Sequence, residues 1–380
     1  ENLGGIRVVR AFAAKSHEMQ KYAVASESAL ELAHERVDIR VRNTSIMTFS
    51  FLVAMGLVLW LGSGKVVAGE ISVGTLASFL TFMTILQMPV RQLGMLVNSF
   101  ARTATCGDRI FALLDLDLAI TDAPDATDVQ ISDCVLRFED VGFTYPGAAQ
   151  PTLQNLSFTA KRGETVGLIG PPGSGKSTIA HLIPRFYDVS EGAITLDGQD
   201  IRDVILQSLR GAVVVVQQDA FLFTTSLENN IAYGDPWAPP SQIADASASA
   251  HLNQFIATLP AGYETVVGER GSSLSGGQRQ RMTIARALML RPSVLIFDDS
   301  TAAVDAGTEQ RIRTTIQAKA SERVTIIVAH RLNSLMHADR ILFLVKGQIV
   351  EQGSHAELLA LGGRYRTLHD LQIRPEEPQS

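Results

Sequence analysis

The spacing of apolar and charged residues divides this chain into stretches with different physical demands. Between residues 4 and 42, apolar positions at Ile6, Val9, Phe12, Met19, Tyr22 and Leu30 recur among many charges. That pattern predicts helices lying in water or against a partner, not in lipid. The charges then stop. No Asp, Glu, Lys or Arg occurs from Asn43 to Gly64 or from Ile71 to Val90, and a short polar turn around Lys65, Gly69 and Glu70 separates the two runs. Crossing a bilayer takes about 20 apolar helical residues, so a transmembrane hairpin is predicted over residues 43–64 and 71–90. Two buried helices of a soluble domain are the competing prediction, although uncharged runs of this length are uncommon in soluble cores. Arg36, Arg40 and Arg42 precede the first run, and Arg91, Arg102 and Arg109 follow the second, which puts both outer ends in the cytoplasm.

Beyond Arg91 the apolar spacing continues through Leu93, Leu96, Val97, Phe100, Ile110, Phe111 and Leu114, and the second helix is expected to run on past the membrane. Residues 115–133 turn acidic and helix-poor, with Pro124 and a series of aspartates from Asp115 to Asp133, as suits an interdomain linker. From Cys134 on, strand-like runs alternate with helical ones. This predicts an α/β domain with a largely parallel core over 134–372, followed by a short tail at 373–380.

Composition adds three points. A mean hydropathy of +0.14 is high for a chain soluble throughout, in keeping with the membrane reading of the two uncharged runs. The net charge of −6 and the lack of a basic stripe argue against a nucleic-acid partner. Cys106 and Cys134 have neither metal-ligand spacing nor the pattern of a disulfide scaffold. The first residue is Glu1, no signal peptide is visible, and the chain is expected to be a piece of a longer polypeptide.

The chemistry centres on Gly170-Pro-Pro-Gly-Ser-Gly-Lys-Ser-Thr178, between the apolar run Thr165–Ile169 and a helix-competent run from Ile179. Strand, glycine-rich turn and helix in that order form a P-loop. Gly170, Gly173 and Gly175 let the backbone wrap a phosphate chain, with Ser174 and Thr178 in the same cradle. Lys176 can reach the β- and γ-phosphates, and the Ser177 hydroxyl is placed to ligate magnesium. An ordinary Gly-rich turn would not require this full set.

With the P-loop, Leu274-Ser-Gly-Gly-Gln278 and the strand Val294-Leu-Ile-Phe-Asp298, the chain resembles exporters of the ATP-binding cassette (ABC) transporter family. These carry membrane and nucleotide domains in one polypeptide. The resemblance extends to Gly5-Ile-Arg-Val-Val-Arg-Ala-Phe12, similar to a coupling-helix region, with residues 1–114 as a partial membrane domain. It implies two of six membrane helices in this chain, and an α/β P-loop domain with a helical subdomain. Asp298 resembles the Walker B carboxylate, and Gln218, in Val216-Gln-Gln-Asp219, resembles the glutamine that touches magnesium; Gln217 is its rival. Tyr145 resembles the aromatic that stacks on adenine. His330 resembles the γ-phosphate switch, and Val304-Asp305-Ala-Gly307 the loop that meets the opposite subunit. Ser275, Gly276, Gly277 and Gln278 would serve ATP bound to a partner's P-loop, in a head-to-tail pair. The implied cofactors are ATP and Mg2+, and the implied setting is the cytoplasmic membrane.

One residue departs from the pattern. Where the family usually has Glu after the Walker B Asp, this chain has Asp299. Losing a methylene retracts the carboxylate by about 1.5 Å, and about 1 Å of misplacement can cost roughly 10²-fold in rate. This chain's own site is therefore expected to hydrolyse poorly while its intact signature, Leu274-Ser-Gly-Gly-Gln278, serves a partner. That combination suits one half of a heterodimeric exporter, ahead of a homodimer with two slow sites. A regulatory ATP-binding subunit and a soluble ABC-type ATPase are the alternative functions. Nothing in the residues identifies the exported substrate.

Overall fold

The computed structural model describes residues 5–300, 306–318 and 320–373. They form two compact units, divided between Asp117 and Leu118.

The first unit contains α1 (Ile6–Ala11), α2 (Lys15–Val67) and α3 (Val73–Leu114). Ala13, at φ 50°, turns the chain between α1 and α2. Both long helices extend well past their uncharged runs. No proline interrupts residues 15–67, so backbone hydrogen bonding continues through the charged portion. At 1.5 Å per residue α2 is about 80 Å long, more than twice the hydrocarbon core. The corner is made by Gly69 at φ 75° and by Ser72, whose Oγ accepts the Thr75 N–H at the start of α3. Gly62 is the buried residue of α2, and a Cβ there would run into the end of Leu76. The glycine lets the two helices approach just below the corner. Outward-facing Leu57, Trp60, Phe79, Phe82 and Ile85 are exposed, an arrangement that suits lipid or further helices and not water.

The second unit is built on ten strands: β1 (Leu136–Phe143), β2 (Leu153–Ala160), β3 (Thr165–Ile169), β4 (Glu191–Leu196), β5 (Gln199–Asp200), β6 (Val213–Val216), β7 (Val294–Asp298), β8 (Val324–Val328), β9 (Arg340–Val345) and β10 (Gln348–Gly353). An antiparallel sheet has the order β2-β1-β4-β5, and the larger sheet has the order β10-β9-β3-β8-β7-β6. In the larger sheet every pairing is parallel except β10 with β9. β3 and β7 are buried at every position, as expected of strands covered on both faces. Side chains of β7 alternate between two cores. Val294 and Ile296 pack with Phe138, Ile179 and Leu182, whereas Leu295 and Phe297 pack with Leu227, Ile231, Met282 and Ile284.

The helices of this unit are α4 (Lys176–Leu182), α5 (Leu206–Ala212), α6 (Leu227–Ile231), α7 (Pro240–Ser249), α8 (Asn253–Ala257), α9 (Gly276–Met289), α10 (Ala306–Ala318), α11 (His355–Leu361) and α12 (Arg364–Ile373). α6 to α9 gather around the second core and form the helical subdomain. The two core clusters share one sheet, with α4 packed in the first and α9 in the second.

The acidic stretch expected as linker is tied to the second unit from Asp122 on. Asp122 Oδ1 accepts the Leu206 N–H at the start of α5, and the Val129 N–H donates to Ser208 Oγ. Asp197 does the most. It lies in the Asp197-Gly198 hairpin turn between β4 and β5, with φ 49° and 82°, the two-residue turn that favours Asp-Gly. Its carboxylate accepts four successive N–H groups: Ser132 (2.7 Å), Asp133 (3.1 Å), Cys134 (3.1 Å) and Val135 (2.6 Å). Burial disfavours its charge, but these four bonds together outweigh burial and hold its pKa below the usual carboxylate range.

Because the folded-state pKa is depressed, this contribution is present above the unfolded value of about 3.9 and is lost as pH falls through the folded one. Asp197→Ala is expected to lower stability by about 1–3 kcal/mol at pH 7. Urea midpoints of wild type and variant should converge as the pH is taken well below 4, and a gap that stays constant with pH would contradict this account.

Candidate functional site

The parallel sheet decides where the chemistry collects. β3, β8, β7 and β6 end at the same edge, so Gly170, His330, Asp298 and Gln218, which follow or close those strands, come to one rim. Ligands of open α/β sheets bind outside the carboxyl ends of the strands.

The P-loop runs from the end of β3 into α4. Gly170 lies at φ 154°, and a Cβ there would sit 2.1 Å from Leu344 O on β9; at Gly175, φ 97°, it would sit 2.5 Å from Leu153 Cδ2 on β2. Side chains are thus excluded by the neighbouring strands as well as by the backbone conformation. Lys176 is buried and folds back beneath its own loop, where Nζ donates to Gly170 O (2.9 Å) and Pro171 O (3.0 Å), with Ser174 Oγ at 3.5 Å. Burial lowers its pKa, while Asp298 and Asp299 pull it back up. An ammonium held by carbonyl oxygens can make a charge-assisted contact with an anion, whereas the carboxylates near it oppose that approach unless a cation offsets them.

Ser177 Oγ donates to Asp298 Oδ1 at 3.0 Å, which joins the P-loop to the end of β7. Asp298 is buried, and burial raises its pKa against the opposing pull of the Ser177 hydroxyl, His181 and His330. Asp299 follows at φ 45°, half-buried, with its N–H donating to Val328 O at 2.9 Å. This left-handed backbone is one that Asp tolerates better than most residues. His330 is exposed just past β8, and its carbonyl accepts from Gln372 Nε2 (3.1 Å). Gln217 and Gln218 are both exposed beyond β6. Gln217 lines a cavity of about 160 Å³ with Tyr233 and Arg286, and Gln218 is not part of that lining.

Tyr145 lies against the P-loop helix, with Oη 3.1 Å from Thr178 Oγ1. Its ring meets Phe143 and Tyr187 edge-on, at 4.8 and 5.2 Å between centroids. The sequence reading missed Tyr187 and the Thr178 bond, because no spacing links positions that meet only through the fold.

The signature opens α9 in the helical subdomain. Ser275 is its N-cap; its Oγ accepts the Gln278 N–H (3.3 Å), and Gln278 Oε1 accepts the Ser275 N–H (2.7 Å), completing a capping box. The Gln278 carbonyl is thereby committed to its own helix. Ser275 is exposed, Gly276 and Gly277 are partly so, and Arg279 Nη1 braces the turn from below on Leu274 O (2.7 Å). Val304 and Asp305 lie outside the described residues, and Gly307 is the second residue of α10. Among the described residues no cluster of three or more His, Cys, Asp or Glu is set to hold a metal without phosphate.

A further contact that the sequence did not suggest joins the segment after β6 to α9. Arg286 of α9 donates to Asn230 O (2.7 Å), Asn230 Oδ1 (2.9 Å) and Phe221 O (3.1 Å), and its guanidinium lies over the rings of Phe223 and Tyr233. Its one sequence signal is a cation inside the otherwise apolar run Ile284–Leu290.

Comparison with known proteins agrees with this geometry. Residues 153–302 match the ABC transporter family, and residues 1–90 match the ABC transporter transmembrane region. An ATP-dependent lipid A-core flippase of Thiobacillus denitrificans is 40% identical over 98% of this chain and 64% of its own length. Another of the same description, from Syntrophus aciditrophicus, is 38% identical over 99% of this chain and 62% of its own length. The chain thus spans under two thirds of the length of these relatives. A solved structure of a bacterial Atm1-family ABC exporter with ATP bound is similar at TM-score 0.87 and 37% identity, covering 98% of this chain and 66% of that one. With motifs, strand order and relatives in agreement, this chain belongs to the ABC transporter family and joins the family's transmembrane region to its ABC domain in one polypeptide.

Proposed function

We propose that this chain is one half of an ATP-driven exporter, which binds ATP with Mg2+ and, paired with a second half, couples hydrolysis to outward movement of a substrate across the cytoplasmic membrane. The observation that supports this most is the Ser177–Asp298 bond beneath a buried Lys176, in the same chain as two helices long and apolar enough to cross a membrane.

Two hard oxygens 3.0 Å apart fit magnesium, which takes few protein ligands and fills its octahedron with phosphate and water. Ser177 and Asp298 would hold it, with Gln218 reaching from the end of β6. A magnesium ion held there would supply charge neutralisation at the β- and γ-phosphates. Lys176 holds the same phosphates, Asp299 orients the attacking water, and His330 senses the γ-phosphate. The other half's signature would close the site with N–H groups, as Ser275 to Gln278 of this chain would close the other half's site. The names of the flippase relatives suggest a lipid-linked amphiphile as substrate, and spans free of ionisable residues suit such a cargo.

We further read the pair as a heterodimer in which this chain's own site is the slow one, on the strength of Asp299. The same residue supports a second reading, a subunit that binds ATP mainly as a clamp. Asp299→Glu restores the methylene and is expected to raise ATP turnover at this site at least about tenfold when the opposing signature is intact. It should also cost on the order of 1 kcal/mol of stability, because Glu is less at ease at a left-handed position. Single-turnover hydrolysis in the assembled exporter would measure the first effect and thermal unfolding the second. Unchanged turnover would remove the basis for unequal sites.

A further inference from the structure

We infer that the Tyr145 phenol acts on nucleotide affinity at the phosphate end of the site, through Thr178, separately from any stacking of its ring on a base. The inference rests on the reading of the P-loop as an ATP site. Tyr145 follows β1, and its Oη meets Thr178 Oγ1 at 3.1 Å on the third residue of α4. Thr178 is 5% exposed, so few partners can reach its hydroxyl. The tyrosine ring is held from two sides, at 82° to Phe143 and 85° to Tyr187, and those two rings also touch each other at 5.6 Å. The phenol is therefore delivered to Thr178 by packing, at little entropic cost to the bond.

A threonine hydroxyl has one proton to give and two lone pairs to receive with. Beside a phosphate oxygen, the Thr178 proton goes to the anion, because bonds to a charged acceptor are about twice as strong. The Tyr145 proton then has Thr178 Oγ1 as its acceptor. Tyrosine, threonine and phosphate form a short chain in which each bond polarises the next. A tyrosine acting only as a base platform has no such effect at the phosphates.

Inorganic tripolyphosphate with Mg2+ has no base and separates the two roles. For the purified chain, Tyr145→Phe keeps the ring and is expected to weaken tripolyphosphate binding about three- to tenfold, as loss of one hydrogen bond does. ATP binding should weaken by a similar factor. Thr178→Ser should behave like wild type, and Tyr145→Phe should add nothing further on a Thr178→Val background. Wild-type tripolyphosphate affinity in Tyr145→Phe, or additive losses in the double variant, would overturn the inference. Lys176→Ala is the control for the underlying reading. If it binds both ligands like wild type, the P-loop assignment fails and this inference falls with it; if it loses both, the Tyr145 result stands on its own.

Discussion

Gly277→Asp, in the two-half assembly proposed above, is expected to lower maximal ATP turnover by about 10²–10³-fold, the range seen when a preorganised donor to a developing oxyanion is removed. The capping box fixes the Ser275 to Gln278 turn at the start of α9, so its N–H groups need no rearrangement to meet a γ-phosphate. An aspartate at residue 277 puts a negative charge where that phosphate would lie. Asp299→Ala should be far milder, within about threefold of wild-type turnover by the same scale, because a retracted carboxylate contributes little that can be lost. Steady-state ATPase of the two variants beside wild type gives the ranking. If Asp299→Ala abolishes turnover and Gly277→Asp keeps it, this chain's own site is the working one and the heterodimer reading fails.

Lys176→Ala is the second change with a large expected effect. Nζ is the buried cation of the P-loop, and it bridges Gly170 O and Pro171 O. Its removal takes away the charge facing the β- and γ-phosphates and leaves two carbonyls of the cradle without a donor. Losing one partner of a buried charge-assisted contact costs about 2–5 kcal/mol, so ATP affinity at this site should fall by about 30-fold or more. Titration with a fluorescent ATP analogue is the measurement, with urea unfolding as a check on the fold. Retained affinity in a folded variant would show that the loop does not bind phosphate through Lys176.

The elements that could be read ahead of the structure are those whose information is contiguous. The P-loop glycines, the signature and the strand ending in Asp298 each declare themselves within about ten neighbouring residues, and they lie between β3 and α4, at the start of α9 and at the end of β7. The two uncharged runs were legible for the same reason, but the helices around them extend to 15–67 and 73–114. Hydropathy sees the lipid-facing part and is blind to helix that continues in water. Asp197 could have been read as a hairpin turn from Asp-Gly. Its four amide partners lie more than 60 residues earlier, and no local pattern announces them.

The sequence by itself determined that the chain has two uncharged runs long enough to cross a membrane, a P-loop motif, a Ser-Gly-Gly turn opening a helix-competent run, and a carboxylate one methylene shorter than the family usually carries. These properties follow from residue type and short-range spacing, which the fold cannot change. Only the tertiary structure decided that Gly170, Asp298, His330 and Gln218 share one rim, through a strand order of β3-β8-β7-β6 that differs from their order along the chain. It also decided that Tyr145 rests on Thr178 and that Arg286 joins the segment after β6 to α9. Those contacts depend on parallel crossovers that bring distant segments together, and the free energy that fixes them comes from burying both faces of the sheet.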